Sequence, residues 1–305
     1  YAEKLSTPDI SIADLIGEID PIKVAEGRYL ADELTIHYGL IPRTNRGIFA
    51  INELPDLPER IQVGLFNLME ERDIQIRGYR VRLPLDVYVV ASANPEDYTN
   101  RGRIITPLKD RYGAQIRTHY PRTLEQEIQI VEQERAHYAD MEERVAVPPF
   151  IKEVVAEFTT LARKSPDINQ RSGVSVRVSI ANYETLLACA LRRSIRYKER
   201  ASAPRISDLP FLVASTAGKL ELETVEEGRE GRVIEELTKR AVLNAFNRYF
   251  TPREFDALVQ KFEEGLTVEV GPEVPSFVYV EKWGGLEGLA PALEKFGVRV
   301  REQEA

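Results

Sequence analysis

Two continuous apolar runs in the first third of the chain predict buried β-strands. Residues 47–51 (Gly-Ile-Phe-Ala-Ile) end at Asn52 and Glu53, and residues 87–93 end at Asn94. Short apolar runs that stop at polar residues are typical of strands covered on both faces of a parallel sheet. If the two strands are parallel, their polar ends emerge at one carboxyl edge, where ligands of open α/β sheets bind. The pattern predicts an α/β fold with a candidate site at that edge.

The rest of the chain predicts one more strand, a hairpin and a series of helices. Residues 74–83 alternate apolar and polar positions around a glycine, which predicts a β-hairpin turning near Arg77-Gly78. Residues 115–120 are interpreted as a third strand that Pro121 closes. Thr123 and Gln126 form a capping box for the next helix. Apolar positions at helical spacing predict helices at about 58–72, 124–135, 149–163, 178–198, 208–222, 232–249 and 252–264.

Composition limits the class of protein. The chain has 305 residues, of which 43% are hydrophobic and 30% charged, and no apolar run approaches the roughly 18 residues that span a bilayer. At about 150 residues per domain, we expect roughly two domains in a soluble protein without a membrane partner. The single cysteine, Cys189, fits a reducing compartment, so we expect a cytoplasmic location. The changes in pattern predict an α/β part at 1–121, a helical part at 122–220 and a mostly helical extension at 221–305.

Charge argues against a general nucleic-acid binder. The net charge is −8, whereas proteins that bind the phosphate backbone usually carry a basic excess on one face. Residues 122–220 are the only basic part, with 15 Lys and Arg against 13 Asp and Glu. Their basic run at 192–200 is interpreted as a solvated helix end. Because the hairpin carries Arg77, Arg80 and Arg82, a nucleic-acid remodeller stays open as an alternative.

Few kinds of chemistry are compatible with the predicted sheet edge. The three histidines lack metal-ligand spacing, and Ser92 lies between alanines rather than the glycines of a nucleophile elbow, so Ser92 is interpreted as a strand-end residue. A hydrophobic strand that ends in Asn52-Glu53 is close to the Walker B pattern. In that pattern a first carboxylate helps to hold Mg²⁺, and a following glutamate orients the attacking water.

Five segments in order resemble a family of nucleotide-dependent machines. Residues 39–57, which contain Gly-Ile-Phe-Ala-Ile-Asn-Glu, resemble the Walker B block of the ATPase subunit of magnesium chelatase and the related MoxR-like AAA+ proteins, and so do residues 14–20. Asn94-Pro95-Glu96 is similar to the family's sensor 1. The arginine-finger block is similar to residues 108–113 (Leu-Lys-Asp-Arg-Tyr-Gly), and sensor 2 to residues 173–179.

The resemblance implies a fold and a set of functional residues. The fold is α/β, a P-loop NTPase-type AAA+ core with a parallel sheet, helices and a presensor hairpin, followed by an α-helical lid and a C-terminal helical extension. The implied cofactors are ATP and Mg²⁺. Glu53 would polarise water, Asn94 would place that water or sense the γ-phosphate, and Arg111 would reach the nucleotide of the adjacent subunit. Arg177 would contact phosphate from the lid, and Asn52 would lie in the outer shell of Mg²⁺.

The implied function is ATP hydrolysis in a ring, usually a hexamer, that remodels a protein partner. The partner implied by the clade is a von Willebrand A-domain protein. Enhancer-dependent transcription activators are disfavoured, because their Gly-Ala-Phe-Thr-Gly-Ala loop does not occur in the sequence.

Two departures from the family pattern leave a second alternative open. The sequence contains no Gly-x-x-x-x-Gly-Lys-Ser/Thr, so we expect the P-loop upstream of Tyr1. The Walker B carboxylate is replaced by the amide of Asn52, which removes a charge near Mg²⁺. A hydrolysis-deficient AAA+-like scaffold or regulatory subunit is therefore the alternative to an active ATPase.

Overall fold

A computed structural model describes residues 1–27, 35–71, 74–76, 79–81, 85–94, 103–224 and 228–283, together with residues 289, 292, 295 and 296. The chain divides into two units, residues 1–118 and 119–305, and each has a hydrophobic core of its own. The three-part division at residues 121 and 220 stays a prediction. Among the described residues, no helix combines the length and apolar character that crossing a bilayer requires.

Short strands and helices alternate along the first unit. The strands are β1 (Ala2–Leu5), β2 (Gly17–Ile19), β3 (Ile36–Tyr38), β4 (Ile48–Asn52), β5 (Ile74–Ile76), β6 (Tyr79–Val81) and β7 (Tyr88–Ala91). The helices are α1 (Ile12–Leu15), α2 (Pro21–Ala25), α3 (Leu40–Arg43), α4 (Glu59–Glu71) and α5 (Thr106–Arg111), and a 3₁₀ turn spans Leu54–Asp56.

A parallel sheet with β4 at its centre organises this unit. Its order is β1, β4, β7, with both pairs parallel. The strands predicted at 47–51 and 87–93, their parallel relation and the helix between them are confirmed. The hairpin predicted at 74–83 is confirmed for its two strands, since β5 pairs antiparallel with β6. Its turn at Arg77-Gly78 lies outside the described residues, as do Arg82 and the side chain of Arg80.

One face of the sheet is buried and the other is exposed. Phe49 and Ile51 of β4 pack with α4 and with Leu108 of α5, and all three side chains are at most 2% exposed. The alternate positions belong to the opposite face, where large apolar side chains are open to solvent. Parallel sheets are normally covered on both faces, so this surface is a candidate packing surface. The exposed side chains on it are Leu5, Ile48, Tyr88 and Val90.

Two expectations were wrong. Residues 115–120 form no strand and are exposed, with Ile116 at 87%. They connect the two units at Thr118, and no strand among the described residues pairs with them, so their alternation and β propensity are not sufficient. The helix expected at 208–222 is a 3₁₀ helix over Ile206–Phe211 followed by a short α-helix that ends at Thr216. Pro210 lacks an N–H group and prevents a regular α-helix there.

The second unit is helical. Its core is formed mainly by three long helices, on which Phe158, Leu186 and Ile234 are at most 1% exposed. The third of these helices belongs to the predicted extension, and it packs against the first rather than forming a core of its own. The helices are α6 (Leu124–Glu134), α7 (Ala139–Arg144), α8 (Pro149–Ala162), α9 (Val176–Tyr197), α10 (Leu212–Thr216), α11 (Arg229–Tyr249), α12 (Asp256–Glu263) and α13 (Ser276–Trp283), with a 3₁₀ turn at Pro252–Phe255.

A buried ion pair joins three of these helices. Glu127 of α6 is 1% exposed and accepts two hydrogen bonds from Arg163, at 2.8 and 3.1 Å, just after α8. Ser179 of α9 also donates to the Glu127 carboxylate, at 2.6 Å. Both charges are removed from water, so each depends on its partner for compensation.

We therefore predict that Glu127→Gln destabilises the second unit strongly. The substitution keeps the shape of the side chain but leaves the Arg163 guanidinium buried without a counter-charge, which costs about 3 kcal/mol. Urea unfolding measures the change in free energy. Glu143→Gln on the exposed surface is the control and should change it by less than about 0.5 kcal/mol. A loss below about 1 kcal/mol for Glu127→Gln would show that the pair does not anchor the helices.

Candidate functional site

Two neighbouring strands end at a common edge of the sheet, and the hydrogen bonds between them continue past the last paired residues. In the register of β4 and β7, Ile51 lies opposite Ala91. Beyond this pair, the Ser92 N–H donates to the Ile51 carbonyl at 2.8 Å, and the Leu54 N–H donates to the Ser92 carbonyl at 2.9 Å. The backbone on both sides of the β4 terminus is therefore fixed relative to β7, which is the kind of rigid frame a functional site needs.

Ser92 also joins the two strand ends through its side chain. Its hydroxyl donates to Asn52 Oδ1 at 3.3 Å and accepts from the Glu53 N–H at 3.3 Å. Glu53 has φ 56° and ψ 51°, the left-handed conformation. For a residue other than glycine this conformation costs on the order of 1 kcal/mol, and such strain concentrates at functional sites. The geometry singles out Glu53 as a candidate functional residue.

Arg111 lies at the end of α5, and its side chain is held in place by α4. Its Nε donates to Glu70, its Nη1 donates to Asp110 Oδ2 at 2.9 Å, and its Cζ lies 5.3 Å from the centre of the Phe66 ring. Glu70 lies about 16 Å along α4 from the helix start, at 1.5 Å per residue, whereas Glu53 precedes that start. Within one chain, the length of α4 therefore separates Arg111 from the edge that carries Glu53.

Buried groups on either side of α5 fix the position of Arg111. Gln62 is 1% exposed, and its Nε2 donates to the Leu57 carbonyl at 2.9 Å and the Arg103 carbonyl at 3.0 Å. Its Oε1 accepts from the Ile105 N–H at 2.9 Å. At the other end, the Tyr112 ring packs on the core of the unit, and burial raises the pKa of its hydroxyl to about 12. Both ends of α5 are therefore fixed, and so is the position from which the Arg111 side chain projects.

Arg177 lies in the second unit, in the first turn of α9. Ser175 caps that helix by accepting from the Arg177 N–H at 3.2 Å, and the Arg177 side chain is exposed. The preceding Gly173 has φ 70°, and a Cβ atom there would lie 2.4 Å from the Tyr120 hydroxyl, so only glycine fits. The Val174 N–H donates to the same hydroxyl at 2.9 Å. A fixed loop therefore presents Arg177 to solvent.

The structure brings some of the predicted site residues together. Asn52, Glu53 and the residues leading to Asn94 share the carboxyl edge of β4 and β7. Arg111 belongs to the same unit but not to that edge. Arg177 belongs to the other unit. The remaining sensor 1 residues, Pro95 and Glu96, lie outside the described residues.

The sheet edge could contribute to a Mg²⁺ site only together with other ligands. In the described part of the chain, no group of three or more His, Cys, Asp or Glu side chains could hold a metal ion. Among the described residues, the edge offers one carboxylate, Glu53, and the amide oxygen of Asn52, which already accepts from Ser92. Mg²⁺ commonly keeps several waters and takes one or two carboxylates together with nucleotide phosphates. The residues present fit that partial role and do not fit an all-protein cage.

One family comparison covers part of the chain. The parallel sheet with helices, followed by a helical part, is consistent with an AAA+ P-loop NTPase fold. Residues 26–108 match the family described as Sigma-54 interaction domain, which is an AAA+ domain. The match supports the resemblance to AAA+ proteins for the part that contains Asn52, Glu53 and Asn94, and it names the domain of the enhancer-dependent activators that the sequence analysis disfavoured. The matched range ends before Arg111 and Arg177.

Solved structures with detectable similarity carry related descriptions. A protein of Cytophaga hutchinsonii described as an ATPase is 16% identical over 78% of this chain and 76% of its own, with a TM-score of 0.32. The BchI–BchD complex of magnesium chelatase is 20% identical over 77% of this chain and 72% of its own, with a TM-score of 0.34. NtrX of Brucella abortus in complex with ADP is 16% identical over 97% of this chain and 58% of its own, with a TM-score of 0.44. No curated protein matches the chain.

Sequence reasoning missed several residues that organise the site. Ser92 was interpreted only as a strand-end residue, yet its side chain contacts both Asn52 and Glu53. Glu70, which binds Arg111, is one of many surface-type residues on its helix and carries no local signal. Gln62 is a polar residue on the buried face of α4, and that break in the apolar pattern could have indicated it.

Because the Glu53 backbone is left-handed, glycine should be more stable than alanine at this position, which is the reverse of the usual order. We expect Glu53→Gly to be more stable than Glu53→Ala by about 1 kcal/mol, because glycine adopts positive φ without strain. At Glu3, in the extended strand β1, the same pair should show the opposite order, with glycine less stable by about 0.5–1 kcal/mol. Urea midpoints of the four variants check this. If alanine is the more stable residue at position 53, the left-handed assignment is wrong.

Proposed function

We propose that the protein is an AAA+ ATPase of the magnesium chelatase and MoxR-like clade. It would couple ATP hydrolysis in a ring to the remodelling of a protein partner. One observation carries the proposal: Asn52 and Glu53 end β4 beside the Ser92–Asn94 end of β7, and backbone and side-chain hydrogen bonds join the two ends. A carboxylate and amides at the carboxyl edge of parallel strands are suited to phosphoryl transfer to water.

The residues of the edge have distinct roles in this proposal. Bound ATP with Mg²⁺ supplies the phosphoryl group and the charge that offsets it. Glu53 orients and polarises the attacking water. Asn94 places the same water or senses the γ-phosphate. The Asn52 amide lies in the outer shell of the metal, where it contributes a dipole instead of a charge.

Arg111 acts on the nucleotide of a neighbouring copy. Its distance from the Glu53 edge of its own chain supports this assignment, since an arginine finger must lie close to the transferring phosphoryl group. A ring, most simply a hexamer, places one copy's Arg111 at the next copy's edge. Arg177 contacts phosphate from the helical unit. We further propose a cytoplasmic location and a von Willebrand A-domain protein as the remodelled partner.

The proposal requires a phosphate-binding loop, which these 305 residues do not contain in Walker A form. The exposed apolar face of the sheet, with Leu5, Ile48, Tyr88 and Val90, offers a surface on which an element bearing such a loop would pack. The second candidate function is a hydrolysis-deficient scaffold. It is favoured by Asn52, which replaces a carboxylate and directs its amide oxygen toward a protein hydroxyl.

We predict that Glu53→Gln abolishes turnover while ATP stays bound. The amide still occupies the site but no longer polarises water, so hydrolysis should fall at least a hundredfold, as expected for the loss of a general base. The measurement is phosphate release, with retained nucleotide counted after gel filtration of the complete natural protein. Glu59→Gln, on the exposed start of α4, is the matched control and should hydrolyse ATP normally. Unchanged hydrolysis in Glu53→Gln removes that residue from the proposed role.

We also predict that two inactive variants restore activity when mixed. Arg111→Ala lacks the finger, and Glu53→Gln lacks the water-orienting carboxylate, so mixed rings contain some interfaces with both groups intact. Phosphate release should recover to a clear fraction of the wild-type rate, on the order of a quarter in a random mixture. Co-purification through a tag on one variant checks that the rings are mixed. Mixed rings without recovery contradict an action of Arg111 between subunits.

A further inference from the structure

The basic run at residues 192–200 binds another part of the chain. The sequence predicted a solvated helix end, but Arg193 is only 3% exposed. Its five N–H donors meet both Asp208 oxygens (2.9 and 3.0 Å), the Ser202 hydroxyl (3.3 Å), the Ala203 carbonyl (2.6 Å) and the Pro272 carbonyl (2.9 Å). The Arg193 guanidinium is therefore held in one position, where it contacts the segment 271–276. We call this segment the strap.

The strap is held mainly through its backbone. Four consecutive carbonyl oxygens accept hydrogen bonds from side chains, so most of this recognition does not depend on the strap's own sequence. The bonds run from Arg205 to Gly271 (3.5 Å) and Val274 (2.5 Å), from Arg193 to Pro272 (2.9 Å) and from Tyr197 Oη to Glu273 (2.6 Å).

Two side chains of the strap add specificity. The Glu273 carboxylate accepts from Arg192 at 3.4 Å and also from Arg196. At the other end, the Ser276 N–H and hydroxyl donate to the Glu199 carboxylate at 2.6 and 2.9 Å. The surface that receives the strap thus selects an acidic residue followed, three positions later, by a hydroxyl group.

Little apolar packing retains the strap. Of residues 251–279, all of which the structure describes, none is buried, and residues 265–270 form neither helix nor strand. Gly265, with φ 104°, begins that connection. Polar contacts exchanged for water contribute little net stability, and segments with few buried apolar contacts open first. The strap can therefore leave its site while the helical core stays folded.

We propose that the strap site, formed by Arg192, Arg193, Arg196, Tyr197, Glu199, Arg205 and Asp208, binds an acidic turn of a partner protein. The chain's own strap occupies the site in competition with that partner. The site as defined contains four arginines and two carboxylates, Glu199 and Asp208, so removal of Glu273 leaves a net positive surface. The bound strap shows which chemistry fits: a turn with a glutamate at its centre, in which the Val274 N–H donates to the Gly271 carbonyl at 3.4 Å.

The test uses the full chain and a fluorescent peptide with the sequence of residues 268–279. Glu273→Ala in the chain weakens the resident strap, so anisotropy should show at least tenfold tighter peptide binding than with the wild-type chain. Glu269→Ala is the matched control, because this exposed residue lies in the same segment, and it should bind as the wild type does. A peptide that carries the Glu273→Ala change should bind at least tenfold more weakly.

Limited proteolysis of residues 265–270 gives a second readout that needs no peptide. Cleavage should be faster in Glu273→Ala than in Glu269→Ala, with the same far-ultraviolet circular dichroism in both. Equal peptide binding by all three chains, or equal binding of both peptides, overturns the proposal. Concentration-dependent association of the Glu273→Ala chain that the peptide abolishes also overturns it, because the site then receives the strap of a second copy.

Discussion

Parallel pairing of β4 with β7 is the constraint on which the candidate site depends. The register that places Ile51 opposite Ala91 brings Asn52, Glu53 and Ser92 to one edge, and the hydrogen bonds that continue beyond the ladder hold them there. A slip of one residue would turn Phe49 and Ile51 away from the core, so burial fixes the register strongly. The position of the polar groups is thus a consequence of apolar packing. The hydrogen bonds of this frame hold the Glu53 backbone in its strained conformation.

The second unit reaches rigidity by different means. Two buried ion pairs, Glu127 with Arg163 and Arg193 with Asp208, connect segments that are distant in sequence. Such pairs specify an arrangement more than they add stability, because desolvation offsets much of the attraction. The first pair supports the loop that presents Arg177, since Arg163 also donates to the Val174 carbonyl at 3.0 Å. The second pair lies in the strap site, where Arg193 also donates to the Pro272 carbonyl.

How much could be predicted from the sequence depended on the range of the interactions. The strands around Ile51 and Val89, helix α4 and the hairpin have strong local patterns, and the structure contains them at nearly the expected bounds. Residues 115–120 have the local pattern of a strand, but no strand in the described part of the chain pairs with them. Ser92, Glu70 and the strap act through contacts with residues tens of positions away, and a single sequence contains no signal for such contacts. The AAA+ resemblance follows from motif order, which is a property of the sequence itself, and the family match over residues 26–108 agrees with it. The roles of Arg111 and Arg177 stay proposals, because the proposed contacts are with a neighbouring copy and with nucleotide.

The central claim is that ATP is hydrolysed between copies of the chain, with Glu53 from one copy and Arg111 from the next. The most direct test is the rate of phosphate release per chain, measured across a range of concentrations of the complete natural protein, with assembly followed by sedimentation. The account predicts that the rate per chain rises steeply as rings form, since isolated copies lack the finger. A rate per chain that stays constant while the protein assembles, or no hydrolysis by assembled rings, would contradict it.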